Sequence, residues 1–351
     1  MKKIRLGERW IGTDEQVYII AEIGSNFDAS MERAKMLIDL AKNCGADAVK
    51  FQCFASDKII SKEGFEGLRM GFQAKWEKSV YEVYKSAEFH REWHDELFHY
   101  ANNKGLHFLC APYDKEAVDI LDRLGVPAFK IGSGDITWHE MLKYIAEKGK
   151  PIILSTGAST IAEIDEALKA IRSKGNDDII LLQCVTNYPS HFEYANIQAM
   201  KVMGKMFDVL VGYSDHTLGS VVPLGSVALG ACIIEKHFTD DKTRTGPDHP
   251  FAMDGKEFKE MVDGIRALEK ALGSPVKNLY EDEKETVILQ RRCLRAARDI
   301  PKNSKITDNM IDVLRPLAKD GLSPKYKEFI IGRKVKRDVR KGDPFTWKEI
   351  L

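Results

Sequence analysis

The sequence lacks the features that mark a membrane, secreted or nucleic-acid-binding protein. No apolar run approaches the length of a membrane span, and the first residues, MKKIRLGERWIGTDEQ, lack the apolar core of a signal peptide. Lys and Arg together number 53, as do Asp and Glu, so the formal net charge is zero. Such a chain has no general attraction to nucleic acid or to a membrane surface. We therefore expect a cytoplasmic protein with neither kind of partner.

Closely spaced cysteines are also missing. None of the six cysteines forms a CxxC pair, and four of them lie in or at the end of apolar runs. This pattern predicts buried, reduced thiols rather than a disulfide framework. The six residues are Cys44, Cys53, Cys110, Cys184, Cys232 and Cys293.

The chain does contain a long series of apolar runs, each followed by a segment with helical periodicity. The runs are continuous rather than alternating, as expected for a parallel sheet that is covered on both faces. Eight such units in about 270 residues predict an α/β fold, a (β/α)8 TIM barrel, over residues 1–272. The alternative is an open doubly wound sheet, which is disfavoured because no GxGxxG follows the first run.

The remainder of the chain differs from the barrel in its pattern. Residues 273–290 are highly charged and predict a linker with a short helix. Residues 291–351 contain a repeat, because ARDIPKNSKITDNMI at 297–311 matches KRDVRKGDPFTWKEI at 336–350. Two copies this close together predict a small, pseudo-symmetric, β-rich domain. Between them lies a loop rich in Pro and Gly that carries Arg315.

Two histidines follow adjacent apolar runs. His216 comes after VLVGYSD and His237 ends ACIIEKH. In a parallel barrel both imidazoles would lie at the carboxyl ends of neighbouring strands, where these folds bind ligands. Together they could hold a divalent metal and leave coordination positions open for a substrate. Alternatively, each histidine only forms hydrogen bonds at the end of its strand.

Other polar residues fall at the same predicted face. Lys50 and Lys130 lie in strand-like runs, and two lysines near serine hydroxyls suit a phosphate. Glu22 lies in an apolar run, where a buried carboxylate is costly unless it has a charged or hydrogen-bonding partner or serves in catalysis. Alternatively, the lysines pair with Glu22 and Asp135 inside the barrel. The whole set is Glu22, Lys50, Gln52, Asp114, Lys130, Ser133, Ser155, Thr186, Asn187, Tyr188, Ser214, His216 and His237. A long excursion at 56–88 predicts a lid or a contact surface.

Eight motifs, in order along the chain, resemble the sialic acid synthase family. They are AEIG at 21–24, VKFQ at 49–52, FKIGSG at 129–134, ILSTG at 153–157, YSDHT at 213–217, EKHFT at 235–239, GPDH at 246–249 and LRP at 314–316. The family includes the synthases of N-acetylneuraminate, legionaminate and pseudaminate and the spore-coat sugar proteins. The resemblance implies a barrel followed by an antifreeze-like SAF domain, assembled as a domain-swapped homodimer.

The resemblance also implies an activity. It predicts a metal-dependent transferase that condenses phosphoenolpyruvate with an N-acyl amino sugar aldose, similar to N-acetylmannosamine, and releases phosphate. The product would be a nine-carbon 2-keto sugar acid, and the metal Mn²⁺, with Mg²⁺ or Co²⁺ as alternatives. Two other functions remain open. One is a related 3-deoxy sugar acid synthase or metal aldolase with another aldose, and the other is a non-catalytic carbohydrate-binding protein.

The family roles transfer to matching residues. By resemblance, His216 and His237 would bind the metal and Glu22 would sit beside the reacting aldehyde. The expected phosphoenolpyruvate ligands are Lys50, Lys130, Ser133, Ser155 and Ser214. Tyr188 and Asp248 would contact the sugar, and Arg315 of the other subunit its acyl group. Substrate contacts are also expected from Gln52, Thr186 and Asn187.

One departure from the family bears on the sugar. Many family members read Asn-His after the first strand, whereas this chain reads Asn26-Phe27. We expect Phe27 to lie on the substrate face, where it would replace a hydrogen-bonding imidazole. This predicts a sugar that differs from N-acetylmannosamine in a polar substituent.

Overall fold

The computed structural model describes residues 2–68 and 70–351, and the side chains of all of these except residues 72 and 75. The chain forms two compact units, Met1–Gly273 and Ser274–Leu351. Each unit has its own hydrophobic core.

The first unit begins with an antiparallel hairpin and continues, within the described residues, with eight parallel strands. The hairpin consists of β1 (Lys3–Leu6) and β2 (Arg9–Gly12), joined through Gly7 at φ +58°. The parallel strands are β3 (Tyr18–Gly24), β4 (Ala48–Cys53), β5 (His107–Pro112), β6 (Phe129–Ile131), β7 (Ile152–Ser155), β8 (Ile179–Cys184), β9 (Leu210–Asp215) and β10 (Ile233–His237).

Helices alternate with these strands. They are α1 (Met31–Asn43), α2 (Ser56–Ile59), α3 (Val80–Ser86), α4 (Trp93–Asn103), α5 (Lys115–Leu124), α6 (His139–Ala146), α7 (Ile161–Arg172), α8 (Ile197–Phe207), α9 (Val221–Ala228) and α10 (Gly255–Leu272). Side-chain caps fix several of their starts. Thr160 and Asp254 form capping boxes with a glutamate three residues later, which satisfies backbone N–H groups that the helix leaves unpaired.

The eight parallel strands close into a barrel. Their hydrogen-bonded order is β5-β4-β3-β10-β9-β8-β7-β6, and the two outer strands of this order, β5 and β6, also lie in contact. The first and last strands of the series, β3 and β10, pair directly, with His237 opposite Glu22. The predicted TIM barrel is therefore confirmed.

Alternation along the strands sorts side chains between two cores. Every second residue of a strand points outward and packs against the helices, as Ile19, Ala21 and Ile23 do in β3. The alternate residues point inward, where Tyr18 and Ile20 join an apolar core that the β1–β2 hairpin covers. Toward the carboxyl ends of the strands, the inward positions become polar, which defines the mouth of the barrel.

The second unit contains α11 (Lys284–Gln290), β11 (Cys293–Ala296), β12 (Ile311–Leu314) and α12 (Lys327–Ile330). Its two sequence repeats face each other through an antiparallel bridge between Ile300 and Val339. Asp299 accepts a hydrogen bond from the Lys341 N–H at 2.8 Å, and Asp338 accepts one from the Lys302 N–H at 2.7 Å. These reciprocal contacts give the unit the pseudo-symmetry that the repeat predicts.

Two composition-based predictions concern the chain as a whole. All six cysteines are buried and free, as their apolar neighbourhoods indicate. None of the described helices combines the length and the apolar character needed to cross a bilayer.

Candidate active site at the barrel mouth

The barrel brings the predicted polar residues of non-adjacent sequence segments into one layer. Glu22 lies opposite His237 in β10 on one side and opposite Lys50 in β4 on the other. Glu235 lies opposite Ser214 in β9. Because residues two apart in a strand share a face, Glu235 points into the barrel with His237.

A buried network of ions fills the centre of this layer. The Lys50 Nζ atom lies 2.8 Å from Glu22 Oε2 and 3.7 Å from Glu235 Oε1. The Lys130 Nζ atom lies 3.5 Å from Glu235 Oε1 and donates a 2.8 Å hydrogen bond to Ser155 Oγ. Ser214 Oγ donates to Glu235 Oε1 at 3.0 Å. Two lysines therefore share one carboxylate, and a second carboxylate contacts one of them.

The charges in this network control one another. Burial by itself would lower the pKa of Lys50, but Glu22 and Glu235 outweigh burial and raise that pKa above its ordinary value. For Lys130 burial dominates, and its pKa falls below the ordinary value despite Glu235. Burial opposes ionisation of Glu235, yet Lys130 and Lys50 hold its pKa well below the usual range. The nearby carboxylates therefore compensate the charge of Lys130 less fully than that of Lys50.

A close-packed cradle lies beside Lys130. Ser133 Oγ accepts a 2.9 Å hydrogen bond from the Gly157 N–H and lies 3.2 Å from Cys184 Sγ. A Cβ atom on Gly157 would meet Thr186 Oγ1 at 2.2 Å and Cys184 Sγ at 2.9 Å. Only glycine fits at that position, so backbone and hydroxyl groups approach closely where an anion could be cradled.

The two histidines lie together at one side of the mouth. Their ring centroids are 5.4 Å apart, and both side chains are buried. His216 Nδ1 lies 2.7 Å from the Val185 carbonyl oxygen, which can only accept, so Nδ1 carries the proton and Nε2 has a free lone pair. Burial, assisted by His237, lowers the pKa of His216 to about 3, which keeps this ring neutral.

His237 has an unsatisfied polar atom. Its Nδ1 is buried without a hydrogen-bond partner among the described residues, and the nearest carboxylate oxygen, Asp248 Oδ2, is 3.7 Å away. Two adjacent imidazoles with a carboxylate nearby are a donor set that divalent first-row metals accept. The residues present therefore fit a divalent metal ion.

A third part of the mouth centres on Asp248. Its Oδ2 accepts hydrogen bonds from the Ser25 N–H at 3.3 Å and from Ser25 Oγ at 3.1 Å. A Cβ on Gly24 would lie 2.7 Å from the same oxygen, and Gly24 has φ +55°. Glycine is therefore required where β3 ends, both for its backbone conformation and for the close approach of Asp248.

An aromatic wall completes the cavity next to Asp248. Among its lining residues, Trp76 and Tyr84 come from the 56–88 excursion, and Phe54, Tyr113 and Tyr188 come from strand-end loops. Burial raises the pKa of Tyr113 and of Tyr188, so both hydroxyls stay protonated. The excursion thus contributes directly to the cavity over the mouth.

Within the first unit, the structure places most predicted residues together but leaves Asp114 apart. Asn187 and Tyr188 follow β8 on the loop that borders His216, and Thr186, although exposed, lies beside Gly157.

Arg315 is exposed in the second unit, just after β12. Asp114 caps α5 and pairs with Arg91 rather than joining the central ion network.

Two expectations need correction. Phe27 was expected on the substrate face, but it is fully buried and packs edge-on against Phe51, Phe89 and Trp93. It therefore provides no reason to expect an unusual sugar. The alternative that both lysines pair with Glu22 and Asp135 is wrong for Asp135, because the second carboxylate in the network is Glu235.

Sequence reasoning missed Glu235 as well as Ser25 and Tyr113. Glu235 could have been found, since it is a carboxylate in an apolar run, two residues before His237 and hence on its face. Ser25 and Tyr113 carry no comparable signal, because loop conformation determines where they point.

Known proteins resemble this chain over nearly its whole length. The NeuB family profile matches residues 37–277 and the SAF domain profile matches residues 291–351. The N,N'-diacetyllegionaminic acid synthase of Legionella pneumophila is 37% identical, covering 97% of this chain and 96% of its own. The pseudaminic acid synthase of Campylobacter jejuni is 36% identical, covering 94% and 96%. A spore coat polysaccharide biosynthesis protein of Bacillus subtilis superposes with a TM-score of 0.68 at 33% identity, covering 100% and 99%.

Proposed function

The chain belongs to the NeuB family, and we propose that it condenses phosphoenolpyruvate with an N-acyl amino sugar aldose. The products are a nine-carbon 2-keto sugar acid and phosphate. One observation carries the proposal. The same barrel mouth contains two buried lysines, the cradle at Gly157 and two adjacent imidazoles. Such a mouth suits an anionic substrate on one side and an aldehyde on the other.

Phosphoenolpyruvate occupies the lysine side in this proposal. Lys50 and Lys130 supply buried positive charge, and Ser133, Ser155 and Ser214 supply hydroxyl donors. Charge-assisted hydrogen bonds are strong in a site shielded from water. A bound phosphate and carboxylate would share these cations with the carboxylates that now neutralise them.

His216 and His237 would hold a divalent metal, for which Mn²⁺ is our first choice and Mg²⁺ or Co²⁺ alternatives. When bound, such an ion polarises the carbonyl oxygen of an aldehyde. The free lone pair of His216 and the unsatisfied Nδ1 of His237 support this assignment. Asp248 and Tyr188 flank the same side and orient the sugar through its hydroxyl groups.

The chemistry requires a carboxylate close to C2 of phosphoenolpyruvate. C3 attacks the aldehyde carbon, and positive charge develops at C2. Glu22, held by Lys50 and by a 2.8 Å hydrogen bond from Gln52 Nε2, stabilises that charge as an anion. It also orients the water that adds at C2. The resulting tetrahedral intermediate then collapses and releases phosphate.

The direct test measures phosphate release from phosphoenolpyruvate with a panel of N-acetylated aldoses. The panel contains N-acetylmannosamine and 2,4-diacetamido sugars, because the relatives above are named for different products. We expect metal-dependent release with at least one sugar, loss of activity on adding a chelator, and recovery with Mn²⁺. Binding of a sugar without phosphate release from any panel member would favour a carbohydrate-binding protein instead.

We further propose that the active form is a homodimer in which Arg315 of the partner subunit contacts the acyl group of the sugar. The exposure of Arg315 supports this role. Mixing two inactive variants, Arg315→Ala and His216→Ala, tests it. Mixed dimers would contain one site with both residues intact and regain part of the activity, whereas a role for Arg315 within its own chain would leave the mixture inactive.

A further inference from the structure

A second group of metal-binding side chains lies outside the mouth, between the sheet and α4. Cys53 ends β4, Cys110 lies in β5 and His94 lies in the first turn of α4. All three are buried, and their ligand atoms lie within 4.8 Å of one another. The proposed synthase reaction uses none of them.

The fold explains why the two sulfurs converge. In the β4–β5 pairing, Cys110 lies opposite Phe51, so Cys53 is two residues further along the neighbouring strand and points to the same outward face. A strand spacing of about 4.8 Å and a rise of about 3.3 Å per residue put the two Cα atoms about 8 Å apart. Disulfides rarely bridge Cα atoms more than about 7 Å apart.

A tetrahedral metal suits this separation better than a disulfide does. With metal–sulfur bonds of about 2.3 Å, two thiolates on a zinc ion lie close to 4 Å apart. This separation agrees with the spread of the ligand atoms. The two sulfurs could therefore share one ion without moving the strands.

His94 is oriented as a metal ligand would be. Its Nδ1 lies 2.8 Å from the Arg91 carbonyl oxygen, which only accepts, so the proton is on Nδ1. The lone pair of Nε2 then points toward Cys53 Sγ, 2.7 Å away. Metal-binding histidines characteristically donate their other N–H to a carbonyl or carboxylate in this way.

Charge also balances at this cluster. Arg91 Nη1 donates to Cys53 Sγ at 2.9 Å, and the same guanidinium pairs with Asp114. Two thiolates and one divalent cation are neutral together, and so is the Arg91–Asp114 pair.

We propose that Cys53, His94 and Cys110 bind a Zn²⁺ ion, with water in the fourth position. The ion fastens α4 to β4 and β5. Because Gln52 and Phe54 flank Cys53 and line the cavity over the mouth, the ion also stabilises that wall. This site is distinct from the histidine pair in the barrel and does not depend on the proposed reaction.

Cobalt loading tests the proposal without using activity. The protein is stripped with a chelator, reloaded with one equivalent of Co²⁺, and examined for thiolate-to-cobalt charge-transfer absorption. The experiment uses the His216→Ala/His237→Ala double variant, which removes the proposed metal site at the mouth. Cobalt bound only by the remaining histidines gives no thiolate charge-transfer band. We expect the charge-transfer band, about one zinc per chain by elemental analysis after Zn²⁺ loading, and a higher melting temperature with Zn²⁺.

Cysteine variants in that background supply the controls. Cys53→Ser and Cys110→Ser should each lose the band and the zinc-dependent rise in melting temperature. Cys44→Ser should retain both, since Cys44 is also buried but only donates to the Gly255 carbonyl, which serine can still do. Circular dichroism checks each fold, and His94→Gln replaces any cysteine variant that fails to fold. Absence of the band, its persistence in Cys53→Ser, or a Cys53–Cys110 disulfide in the purified protein would overturn the proposal.

Discussion

Glu235 is the counter-ion that two buried lysines share, and Glu235→Gln removes its charge at almost constant volume. Its Oε1 lies 3.5 Å from Lys130 Nζ and 3.7 Å from Lys50 Nζ. At an effective dielectric constant of about 20, each attraction amounts to about 4–5 kcal/mol. Glu22 still compensates Lys50, and Lys130 can lose its proton. We therefore expect a net loss of about 3–5 kcal/mol in the free energy of unfolding, as for other broken buried pairs.

The same variant should respond more strongly to an anion. Without Glu235, bound phosphoenolpyruvate or inorganic phosphate would supply the missing negative charge to Lys130. Thermal unfolding of the barrel, followed by circular dichroism with and without phosphoenolpyruvate, measures both effects. We expect a lower melting temperature than for the unaltered protein, and a larger rise when the ligand is added.

Asp215→Asn is a matched control for this experiment. Asp215 is buried and lies 2.5 Å from Lys236, also in the barrel wall, but both side chains point outward, away from the mouth. This variant should lose comparable stability while its rise with phosphoenolpyruvate stays as in the unaltered protein. An equal ligand response in the two variants would refute the role of Glu235 as a counter-ion at an anion site.

Three further predictions concern the mouth. His216→Ala and His237→Ala should each reduce metal-dependent phosphate release by at least about 100-fold, with the barrel still folded. Gly157→Ala should raise the KM for phosphoenolpyruvate at least about 10-fold, because the new methyl group overfills the cradle. Burial raises the pKa of Asp135 from an ordinary 3.8 to about 6. Asp135→Asn should therefore stabilise the protein above pH 6 and leave its stability unchanged below pH 4. The gain above pH 6 should be up to about 2 kcal/mol, a figure reduced to allow for the partial exposure of Asp135.

Each of these has a check. Unchanged rates without added metal in both histidine variants would contradict the metal assignment. For the cradle, Gly134→Ala is the control, because its Cβ would meet nothing within 4 Å and its KM should not move. For Asp135, melting temperatures at pH 4 and pH 8 suffice. The carboxyl group keeps its proton more readily in the folded state, so its contribution to stability is lost as the pH rises through 6. The same difference in melting temperature between the variant and the unaltered protein at both pH values would contradict this sign.

The sequence by itself determined the fold class and most of the mouth. Eight continuous apolar runs alternating with helical segments indicate a parallel barrel, because strands covered on both faces need apolar residues at every position. The positions of Lys50, Lys130 and His237 toward the carboxyl ends of their strands then assign them to one face of the barrel. The repeats around Asp299 and Asp338 likewise predicted the pseudo-symmetry of the second unit.

Only the tertiary structure decided which of these residues meet and which do not. Periodicity gives the face of a residue but not its neighbours, so the pairing of β3 with β10, which sets Glu22 beside His237, follows only from closure of the barrel. The same limit hid the shared carboxylate Glu235. A loop has no periodicity that shows which of its side chains are buried. Phe27 was therefore expected at the mouth, whereas its apolar ring is buried among other aromatic side chains. The approach of His94 to two cysteines depends on how α4 packs against the sheet, which a one-dimensional pattern does not contain.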